Sequence, residues 1–243
     1  MTFTLKIMGT ASAMPISDRN PSAQVLAVHG RLFLIDCGEG TQKQMRIARL
    51  PFLKVDSIFI SHIHGDHIFG LFGFLSSMAM YGRTGELKIF GPQALGPIIN
   101  FYKSFFGEGM NYEIVFVPVS CREPVQILSS EYVNVSAFPL NHKIECYGYR
   151  FDEVVSSRRL QEVGPVHPKS YAYCSDTAPF QELAVWLKGI DVMYHEATYP
   201  VEMSDKAVNR WHSTTVHAAQ CALDAGADRL IVGHYSSRIT DFV

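Results

Sequence analysis

The 243-residue sequence lacks the features of several classes of protein. It contains no run of roughly 18–20 apolar residues, which a membrane-spanning helix requires. Its first six residues have neither the basic nor the apolar region of a signal peptide. Its five cysteines form no C-x-x-C pair, and an odd number suits reduced thiols better than a disulfide framework. We therefore expect a cytoplasmic protein that does not contact a membrane.

An excess of positive charge is also absent. The formal net charge is −2, whereas a general nucleic-acid binder gains affinity by releasing counterions through many lysines and arginines. A polyanion would have to bind at local basic patches such as Lys43 and Arg46, although an ordinary solvated helix face explains these two residues equally well. Hydrophobic residues make up 47% of the chain, enough for a sizeable core. No repeat or linker divides the sequence, so we predict a single domain over residues 1–243.

The most informative feature that is present is a short run of three histidines and one aspartate. His62, His64, Asp66 and His67 follow a strand-like apolar segment directly. Alternation along a strand puts His62 and His64 on one side, and a turn at Gly65 brings Asp66 and His67 to an adjacent point. Neutral imidazole and carboxylate are ligands of zinc and its first-row neighbours. The run therefore predicts a site for two metal ions, roughly 3.5–4 Å apart as in hydrolytic centres.

Hydrophobic periodicity predicts strands and helices mixed along the whole chain. The predicted strands cover residues 5–8, 25–28, 32–35, 57–61, 87–90, 113–117, 125–128, 133–138, 171–174, 192–194 and 230–232. The predicted helices cover residues 41–50, 69–81, 93–106, 180–187 and 214–225, and Pro51 ends the first of them. The polar stretch 152–169 has no clear period and is predicted to be a loop or an inserted segment.

Four of the later strands are each followed by an acid/base or metal-ligand residue. These residues are His142, Asp176, Glu196 and His234. A sheet brings side chains from distant positions together when they follow strands that end at one edge. Taken alone, His142 and His234 would be interpreted as hydrogen-bonded loop histidines; together with the first cluster, they are interpreted as metal ligands.

These motifs resemble the metallo-β-lactamase superfamily and, within it, the ribonuclease Z family of endonucleases that trim the 3′ end of precursor transfer RNA. The resemblance depends on six motifs that span almost the whole chain: GEGT at 38–41, HIHGDHIFGL at 62–71, SDT at 175–177, HEAT at 195–198, HST at 212–214 and HYSSR at 234–238. The resemblance implies an α+β fold, the four-layer αββα sandwich of the metallo-β-lactamase type.

The resemblance also implies a set of metal ligands. It assigns two zinc ions to each subunit, the first bound by His62, His64 and His142, the second by Asp66, His67 and His234, with Asp176 bridging them. Manganese or cobalt would accept the same ligands.

A hydrolytic mechanism follows from these assignments. The zinc ions would lower the pKa of a bridging water and polarise the phosphodiester. Asp66 could also orient that water or accept its proton. His212 with Glu196 matches the family's diad and would protonate the leaving 3′ oxygen. The products would be a transfer RNA with a 3′-hydroxyl and a trailer with a 5′-phosphate.

Substrate contacts and assembly are also expected from the resemblance. Arg19 and Asn20 belong to a loop that is similar to the family's segment near the active site, and Lys43 and Arg46 follow a turn whose amides could receive a phosphate, although a simple tight turn explains it as well. The family forms homodimers in which a long arm grips the transfer RNA. Here residues 152–169 are too short for that arm, which is therefore shortened or partly missing.

Two alternative functions stay open. The chain could be a general phosphodiesterase or lactonase of the superfamily without an RNA substrate. It could also be a metal-bearing RNA-binding or dimerisation subunit without turnover, although the intact diad of His212 and Glu196 argues against this. These hypotheses differ in whether precursor transfer RNA, a small ester or neither is cleaved.

The remaining histidines and several aromatic residues receive structural interpretations. His195 follows a predicted strand, and a supporting hydrogen bond is as good an explanation as a direct role. His29, His167 and His217 are interpreted as structural or solvent-facing. Aromatic residues that could stack on a base are interpreted as core residues; they are Phe105, Phe106, Tyr112 and Trp211.

Overall fold

The structure is a computed structural model that describes residues 3–155 and 166–239. The chain divides into two compact units. The N-terminal unit comprises Thr2–Ser120 and Ser236–Val243, and the C-terminal unit comprises Cys121–Tyr235. The single domain over residues 1–243 stays a prediction. Residues 156–165, the centre of the stretch predicted to be a shortened or partly missing arm, lie outside the described residues.

The N-terminal unit contains a six-stranded sheet in the order β1-β2-β3-β4-β5-β6. Strands β1 to β3 are antiparallel, and β3 to β6 are parallel. The strands are β1 (Phe3–Gly9), β2 (Ala23–Val28), β3 (Arg31–Ile35), β4 (Val55–Phe59), β5 (Leu87–Pro92) and β6 (Ile114–Val119). The helices are α1 (Thr41–Ile47), α2 (Gly65–Ile68), α3 (Leu71–Met80) and α4 (Leu95–Phe106), with a 3₁₀ turn at Phe52–Lys54.

The core of this unit lies between the sheet and its helices. Most residues of β3, β4 and β5 are buried, as expected for parallel strands that are covered on both faces. Leu34 and Ile58 from the strands belong to one apolar cluster with Phe74 of α3 and Ile99 of α4. This packing holds the carboxyl ends of β3 and β4, and the loops that follow them, in fixed positions.

The C-terminal unit contains a second six-stranded sheet in the order β12-β11-β10-β9-β8-β7. Strands β7 to β10 are antiparallel, and β10 to β12 are parallel. The strands are β7 (Val125–Ser129), β8 (Val133–Pro139), β9 (Tyr147–Glu153), β10 (Ser170–Cys174), β11 (Val192–Glu196) and β12 (Arg229–Gly233). The helices are α5 (Glu182–Trp186), α6 (Ser204–Asn209) and α7 (Thr215–Ala225), with a 3₁₀ turn at Val201–Met203.

One edge of this second sheet collects the ends of four strands. Since β8 and β10 are both antiparallel to β9, they run in the same direction as each other and as β11 and β12. Leu183 of α5 and Ala222 of α7 pack with Met193 of β11 in the apolar cluster beside the sheet. The carboxyl ends of β8, β10, β11 and β12 therefore meet at one edge, as the sequence predicts for the residues that follow them.

The predicted strands and the five predicted helices are confirmed, with differences at their ends. Helix α1 ends at Ile47 instead of residue 50, because Arg49 adopts a left-handed conformation with a φ of 53°. The prediction of a strand up to residue 61 is wrong: β4 ends at Phe59, and His62 and His64 belong to an extended loop. Helices α2 and α6 were not predicted, since each has fewer than two full turns of apolar periodicity.

The aromatic residues of the N-terminal unit divide between core and surface. Tyr112 is a core residue as predicted, and its hydroxyl donates to the Leu75 carbonyl at 2.9 Å. The core interpretation is wrong for Phe105 and Phe106, which are 70% and 56% exposed. Helix α4 buries another face, which carries Ile99 and Tyr102, against the sheet side of the unit. In the C-terminal unit, Trp211 is 43% exposed, so the core interpretation is wrong for this residue as well.

The cysteines agree with the expectation of reduced thiols. All five cysteines are free, and Cys37, Cys146 and Cys174 are buried. Burial raises the pKa of the Cys121 and Cys221 thiols to about 11, so both are protonated near neutral pH. Among residues 3–155 and 166–239, no helix has the length and apolar character needed to cross a membrane.

Candidate metal-ligand clusters

The first cluster of candidate ligands lies in the N-terminal unit, beyond the carboxyl ends of two adjacent parallel strands. Its candidate ligands, His62, His64, Asp66 and His67, follow β4, and Asp36 follows β3. Helix α2 begins at Gly65 and replaces the predicted turn, so Asp66 and His67 occupy its first positions. His62 and His67 are fully buried. We call these five residues with Ser61 the N-terminal cluster.

Two pairs of ligand atoms approach each other in the N-terminal cluster. Nε2 of His62 lies 2.9 Å from Nδ1 of His64, so the two imidazoles converge as the sequence predicts. Nε2 of His67 lies 3.6 Å from Oδ2 of Asp66. Two ligands of one tetrahedral zinc ion are about 3.4 Å apart for bonds of about 2.0–2.1 Å. Both pairs therefore have the donor types and approximate spacing of metal ligands.

Asp36 fixes the orientation of this cluster and was not among the predicted site residues. Oδ2 of Asp36 lies 2.7 Å from Nδ1 of His67, and both side chains are fully buried. Asp36 also accepts hydrogen bonds from the Ser61 amide at 2.7 Å and the Ser61 hydroxyl at 2.9 Å. With Nδ1 bonded to Asp36, the opposite nitrogen of His67 is directed toward Asp66. The signal was present, because Asp36 directly follows a strand as the other candidate residues do.

Ser61 extends this support to a second histidine. Its hydroxyl donates to Asp36 and lies 3.0 Å from Nδ1 of His62, from which it can accept. Asp66 is held separately, since its Oδ2 accepts a hydrogen bond from the Ala13 amide at 2.7 Å. These contacts hold the candidate ligands in place through the protein itself.

The second cluster lies in the C-terminal unit, at the edge where four strands end. His142 follows β8, Asp176 follows β10, Glu196 ends β11 and His234 follows β12. His212 joins them from the loop before α7. We call these five residues with Thr198 the C-terminal cluster. The prediction that strand ends bring these residues together is confirmed for this unit.

The carboxylate of Asp176 lies between two imidazoles. Nε2 of His234 is 3.2 Å from Oδ1, and Nε2 of His142 is 4.0 Å from Oδ2. Nδ1 of His142 donates to the Trp211 carbonyl at 3.0 Å, and Nδ1 of His234 lies 2.8 Å from the Thr198 hydroxyl. In both histidines Nδ1 is bonded to the protein and Nε2 faces Asp176, which is the arrangement of an oriented metal ligand.

Glu196 and His212 form the predicted pair. Oε1 of Glu196 accepts a hydrogen bond from Nδ1 of His212 at 2.9 Å, and the carboxylate is fully buried. It accepts further hydrogen bonds from the amides of Thr177, Thr198 and Ser213 at 3.1, 2.9 and 3.0 Å. The Thr198 hydroxyl donates to Oε2 at 2.8 Å. A carboxylate held by this many donors is a fixed anchor for the imidazole.

The start of α7 fixes His212 from its other side. Thr214 caps the helix. The His217 amide donates to the Thr214 hydroxyl, and the Thr214 amide donates to Nδ1 of His217. The Ser213 hydroxyl donates to the Thr177 carbonyl at 2.8 Å. His217 is therefore structural, as predicted, and the HST run holds His212 against Glu196.

His212 could instead be a metal ligand, since His212, His234 and Asp176 each offer one ligand atom, and these atoms lie within 4.8 Å of one another. Nδ1 of His212 is 3.9 Å from Asp176 but only 2.9 Å from Glu196. Because the nitrogen nearer to Asp176 already donates to Glu196, the contacts favour a histidine oriented by a carboxylate.

Burial and charge set the protonation of this cluster. Burial lowers the pKa of His142 more than the neighbouring charge of Asp176 raises it. Burial alone would raise the pKa of Glu196, but the hydrogen bond and charge of His212 bring it below its usual value. A neutral His142 can bind a metal, and an ionised Glu196 can stabilise a protonated His212.

The other histidines have structural contacts. His195 is buried, and its Nδ1 donates to the Glu196 carbonyl at 2.7 Å, which is the supporting bond considered from the sequence. Burial lowers the pKa of His195. Nε2 of His167 lies 3.1 Å from Asp191, and His29 occupies the turn between β2 and β3 with a φ of 49°.

The candidate RNA-binding residues differ in their exposure to solvent and in their contacts within the protein. Lys43 and Arg46 are exposed on α1 and line one cavity. The Asn20 carboxamide lies against Gly40, where a Cβ atom would come within 2.7 Å of its oxygen. Arg19 instead donates to the Ile239 carbonyl at 3.0 Å, and its side chain is only 13% exposed. The structure thus gives Arg19 an anchoring contact inside the unit.

The GEGT run forms a tight turn. Gly40 has a φ of 83°, and both the amide and the hydroxyl of Thr41 donate to the Gly38 carbonyl, at 3.2 and 2.7 Å. The Gly38 amide donates to the Ser22 carbonyl at 3.0 Å. These two amides are used within the protein, which favours the tight-turn explanation of this motif over phosphate binding.

The chain is similar to proteins of known families over nearly its whole length. A model described as Beta-lactamase superfamily domain matches residues 31–235. Ribonuclease Z of Bacteroides thetaiotaomicron is 36% identical, with 98% of this chain and 87% of the relative covered. Ribonuclease Z of Porphyromonas gingivalis strain W83 is 34% identical, with 98% and 90% covered. Both alignments run over 275 positions, more than this chain has, so the relatives contain residues without a counterpart here.

A solved structure agrees with these sequence relatives. The short form of human tRNase Z superimposes with a TM-score of 0.83 at 28% sequence identity. The match covers 98% of this chain and 94% of the human chain. The similarity therefore includes the sheets and the loops that carry both clusters.

Proposed function

The chain belongs to the ribonuclease Z family of the metallo-β-lactamase superfamily, whose fold it has, and we propose that it cleaves precursor transfer RNA at the 3′ end by hydrolysis. The observation that carries this proposal is that the family's motifs form two clusters of oriented histidines and carboxylates. The sequence resemblance to this family and the predicted fold class are confirmed. The general phosphodiesterase or lactonase alternative is not favoured by the relatives.

The ligand set proposed for the metals is the one implied by the family. His62, His64 and His142 would bind one ion, and Asp66, His67 and His234 the other, with Asp176 shared by both. Within each cluster, the supporting contacts direct histidine nitrogens toward the candidate carboxylate or toward another imidazole. The nitrogen and oxygen donors suit zinc, manganese or cobalt, and two zinc ions are our proposal.

The bound metal ions would supply an activated water and a polarised phosphodiester. Asp66 would orient that water or accept its proton, and the Ala13 amide holds its carboxylate in place for this task. Asp36 and Thr198 do not need to contact the substrate, because their contacts position His67 and His234.

His212 would protonate the leaving 3′ oxygen. Glu196 accepts from Nδ1 of His212 and stabilises the charged imidazolium, so the opposite nitrogen is the one that would give up a proton. Cleavage after the discriminator base would then leave a 3′-hydroxyl on the transfer RNA and a 5′-phosphate on the trailer. The enzyme would be a hydrolase and an endoribonuclease that produces 5′-phosphomonoesters.

The test is single-turnover cleavage of an end-labelled precursor transfer RNA by zinc-loaded protein, with bis(p-nitrophenyl) phosphate as a second substrate. We expect one chelator-sensitive cut at the 3′ end of the mature sequence, with a 3′-hydroxyl on the product. His64→Ala should abolish the cut. His29→Asn is the control, since it removes a histidine outside both clusters and asparagine tolerates the left-handed backbone at this turn.

Two results would contradict the proposal. Chelator-sensitive hydrolysis of the small ester with intact RNA would indicate the general phosphodiesterase. Metal binding without cleavage of either substrate would indicate the subunit without turnover. Metal content measured by mass spectrometry on the same samples tests the proposed two ions per chain.

Association into a homodimer and location in the cytoplasm are further parts of the proposal. An exposed aromatic surface on α4 supports a second copy of the chain as partner: Phe101, Phe105 and Phe106 are 51%, 70% and 56% exposed. Sedimentation velocity tests this, and Phe105→Asp should convert dimer to monomer. A wild-type chain that sediments as a monomer at all concentrations would contradict it.

A further inference from the structure

Phe69 combines high exposure with a fixed position beside candidate metal ligands. It is 73% exposed and lies two residues after His67. Its ring packs on the backbone of Gly65, where an added Cβ atom would lie 2.3 Å from Cε2 of the ring. Gly65 stands between His64 and Asp66. The exposed aromatic face is thus attached to the loop that carries the proposed ligands.

Phe69 lines a groove whose wall also carries basic residues. The cavity has a volume of about 340 Å³, and Gln42, Lys43 and Arg46 of α1 line it together with Phe69. The Lys43 and Arg46 side chains are exposed. Arg46 donates to the Tyr81 hydroxyl at 2.6 Å, which holds its guanidinium near this wall. The groove has a cationic wall and an aromatic rim.

Glycines and one acidic residue complete the groove. Gly70 and Gly73 line it, and a Cβ atom on Gly73 would come within 2.9 Å of the Gln42 side chain. Glu39 also lines the groove and is exposed. Two cations against one carboxylate leave the lining positive, which suits a phosphate backbone.

We propose that Phe69 is a stacking platform for an unpaired nucleotide next to the scissile bond, and that Lys43 and Arg46 bind the adjoining phosphates. This inference rests on the proposed function. Proteins that bind single strands combine a basic groove with aromatic side chains on which bases stack. The combination at Phe69 places both elements beside the metal-binding loop, where an RNA end must be held for cleavage.

A second chain is the competing occupant of this surface. Phe69 also borders an apolar cavity of about 480 Å³ that Phe72 and Phe101 line. The charged groove distinguishes the two occupants, because an apolar dimer contact would not need Lys43 and Arg46. Dissociation of a dimer is therefore one of the outcomes that the experiment must measure.

The experiment compares Phe69→Leu and Phe69→Trp with the wild-type enzyme. Leucine keeps an apolar side chain but removes the aromatic face, whereas tryptophan keeps that face. Base stacking in such sites corresponds to about a 5- to 150-fold change in affinity or kcat/KM. We expect a loss of this size for Phe69→Leu on precursor transfer RNA and recovery for Phe69→Trp. The ratio of RNA to bis(p-nitrophenyl) phosphate cleavage should fall with the leucine variant.

Abasic substrates identify the interaction. Two precursor RNAs are used, one lacking the base before the cleavage site and one lacking the base after it. The wild-type enzyme should cleave these RNAs more slowly than the intact RNA. One of them should be cleaved equally well by wild-type and Phe69→Leu enzyme, because the stacked base is then already absent. Leu223→Ala is the control, since Leu223 is an equally exposed apolar residue at 75% in the C-terminal unit.

Several outcomes would overturn the proposal. Equal cleavage of intact RNA by wild-type and Phe69→Leu enzyme would exclude stacking. An equal loss of activity on the RNA and on the small ester would indicate that the variant disturbs the loop of proposed ligands. A loss of activity that accompanies dissociation of a dimer in sedimentation would indicate that a second chain occupies this surface. If the wild-type enzyme does not cleave the RNA at all, the proposed function fails and the stacking proposal fails with it.

Discussion

Replacing Asp36 by asparagine should weaken metal binding although Asp36 is not a proposed ligand. Its carboxylate accepts from Nδ1 of His67 at 2.7 Å and from the amide and hydroxyl of Ser61. Asparagine has nearly the same shape, but one oxygen becomes an NH₂ group, which donates hydrogen bonds and cannot accept them. The carboxylate would then no longer increase the basicity of His67 or fix its tautomer.

The size of the effect follows from the contacts of Asp36. Loss of an orienting partner of a metal-bound histidine typically lowers metal affinity about 10- to 100-fold, or about 1.4–2.7 kcal/mol. Asp36 contacts His67 directly, and the Ser61 hydroxyl links Asp36 to His62. We therefore expect the larger loss at the ion that His67 binds, and a smaller one at the ion that His62 binds.

The assay is a competition titration of zinc against a chelator, with RNA cleavage followed on the same samples. Asp36→Asn should release one ion at lower chelator concentration than wild type, and excess zinc should restore cleavage. Asp56→Asn is the control, because Asp56 follows the start of β4 and pairs with Arg31 at the surface, at 3.0 Å. Wild-type affinity at both ions in a folded Asp36→Asn protein would refute the orienting role.

Three further results are expected. His212→Ala should lower RNA cleavage about 10²- to 10⁴-fold but affect bis(p-nitrophenyl) phosphate much less, because p-nitrophenolate leaves without a proton; equal losses would contradict general acid catalysis. Asp191→Asn should lower the free energy of unfolding at pH 7 by about 1.5–3 kcal/mol, because Asp191 accepts two hydrogen bonds from Ser170, at 2.7 Å each. Burial would raise the pKa of Asp191, but these bonds and nearby positive charges lower it. The wild-type advantage should therefore be complete above about pH 4 and disappear as the pH falls further in denaturation curves; an advantage independent of pH would contradict it. Arg83→Lys should lower the melting temperature by several degrees, because lysine cannot replace the guanidinium bonds to the carbonyls of Val55, at 2.8 Å, and Gly85, at 2.8 Å; an unchanged midpoint in calorimetry would refute this.

The positions of the candidate ligands were largely predictable, although not always for the predicted reason. His62 and His64 do converge, but from an extended loop after Phe59 and not from a strand. Helix α2 was not predicted because four residues carry no periodic signal, yet it sets the positions of Asp66 and His67. The local motif therefore predicted which side chains lie close together and was a poor guide to backbone conformation.

The supporting residues were harder to predict. Asp36 is 31 positions from His67, and only the parallel pairing of β3 and β4 brings it close. Arg19 belongs to a loop that the family resemblance places near the active site, and its side chain donates to the carbonyl of Ile239. A sequence gives the type of a side chain, whereas its partner depends on tertiary contacts between distant segments.

Most strands, the longer helices, the free cysteines and the types of the candidate ligands were predictable from the sequence alone, because periodicity and side-chain chemistry are local properties. Strand β9 and the short helices α2 and α6 were not predicted. The tertiary structure decided which nitrogen of each histidine is bonded to the protein, which carboxylate anchors His212, and where Phe69 is exposed. These properties depend on distances between residues far apart in sequence, and only the packing of strands and helices sets such distances.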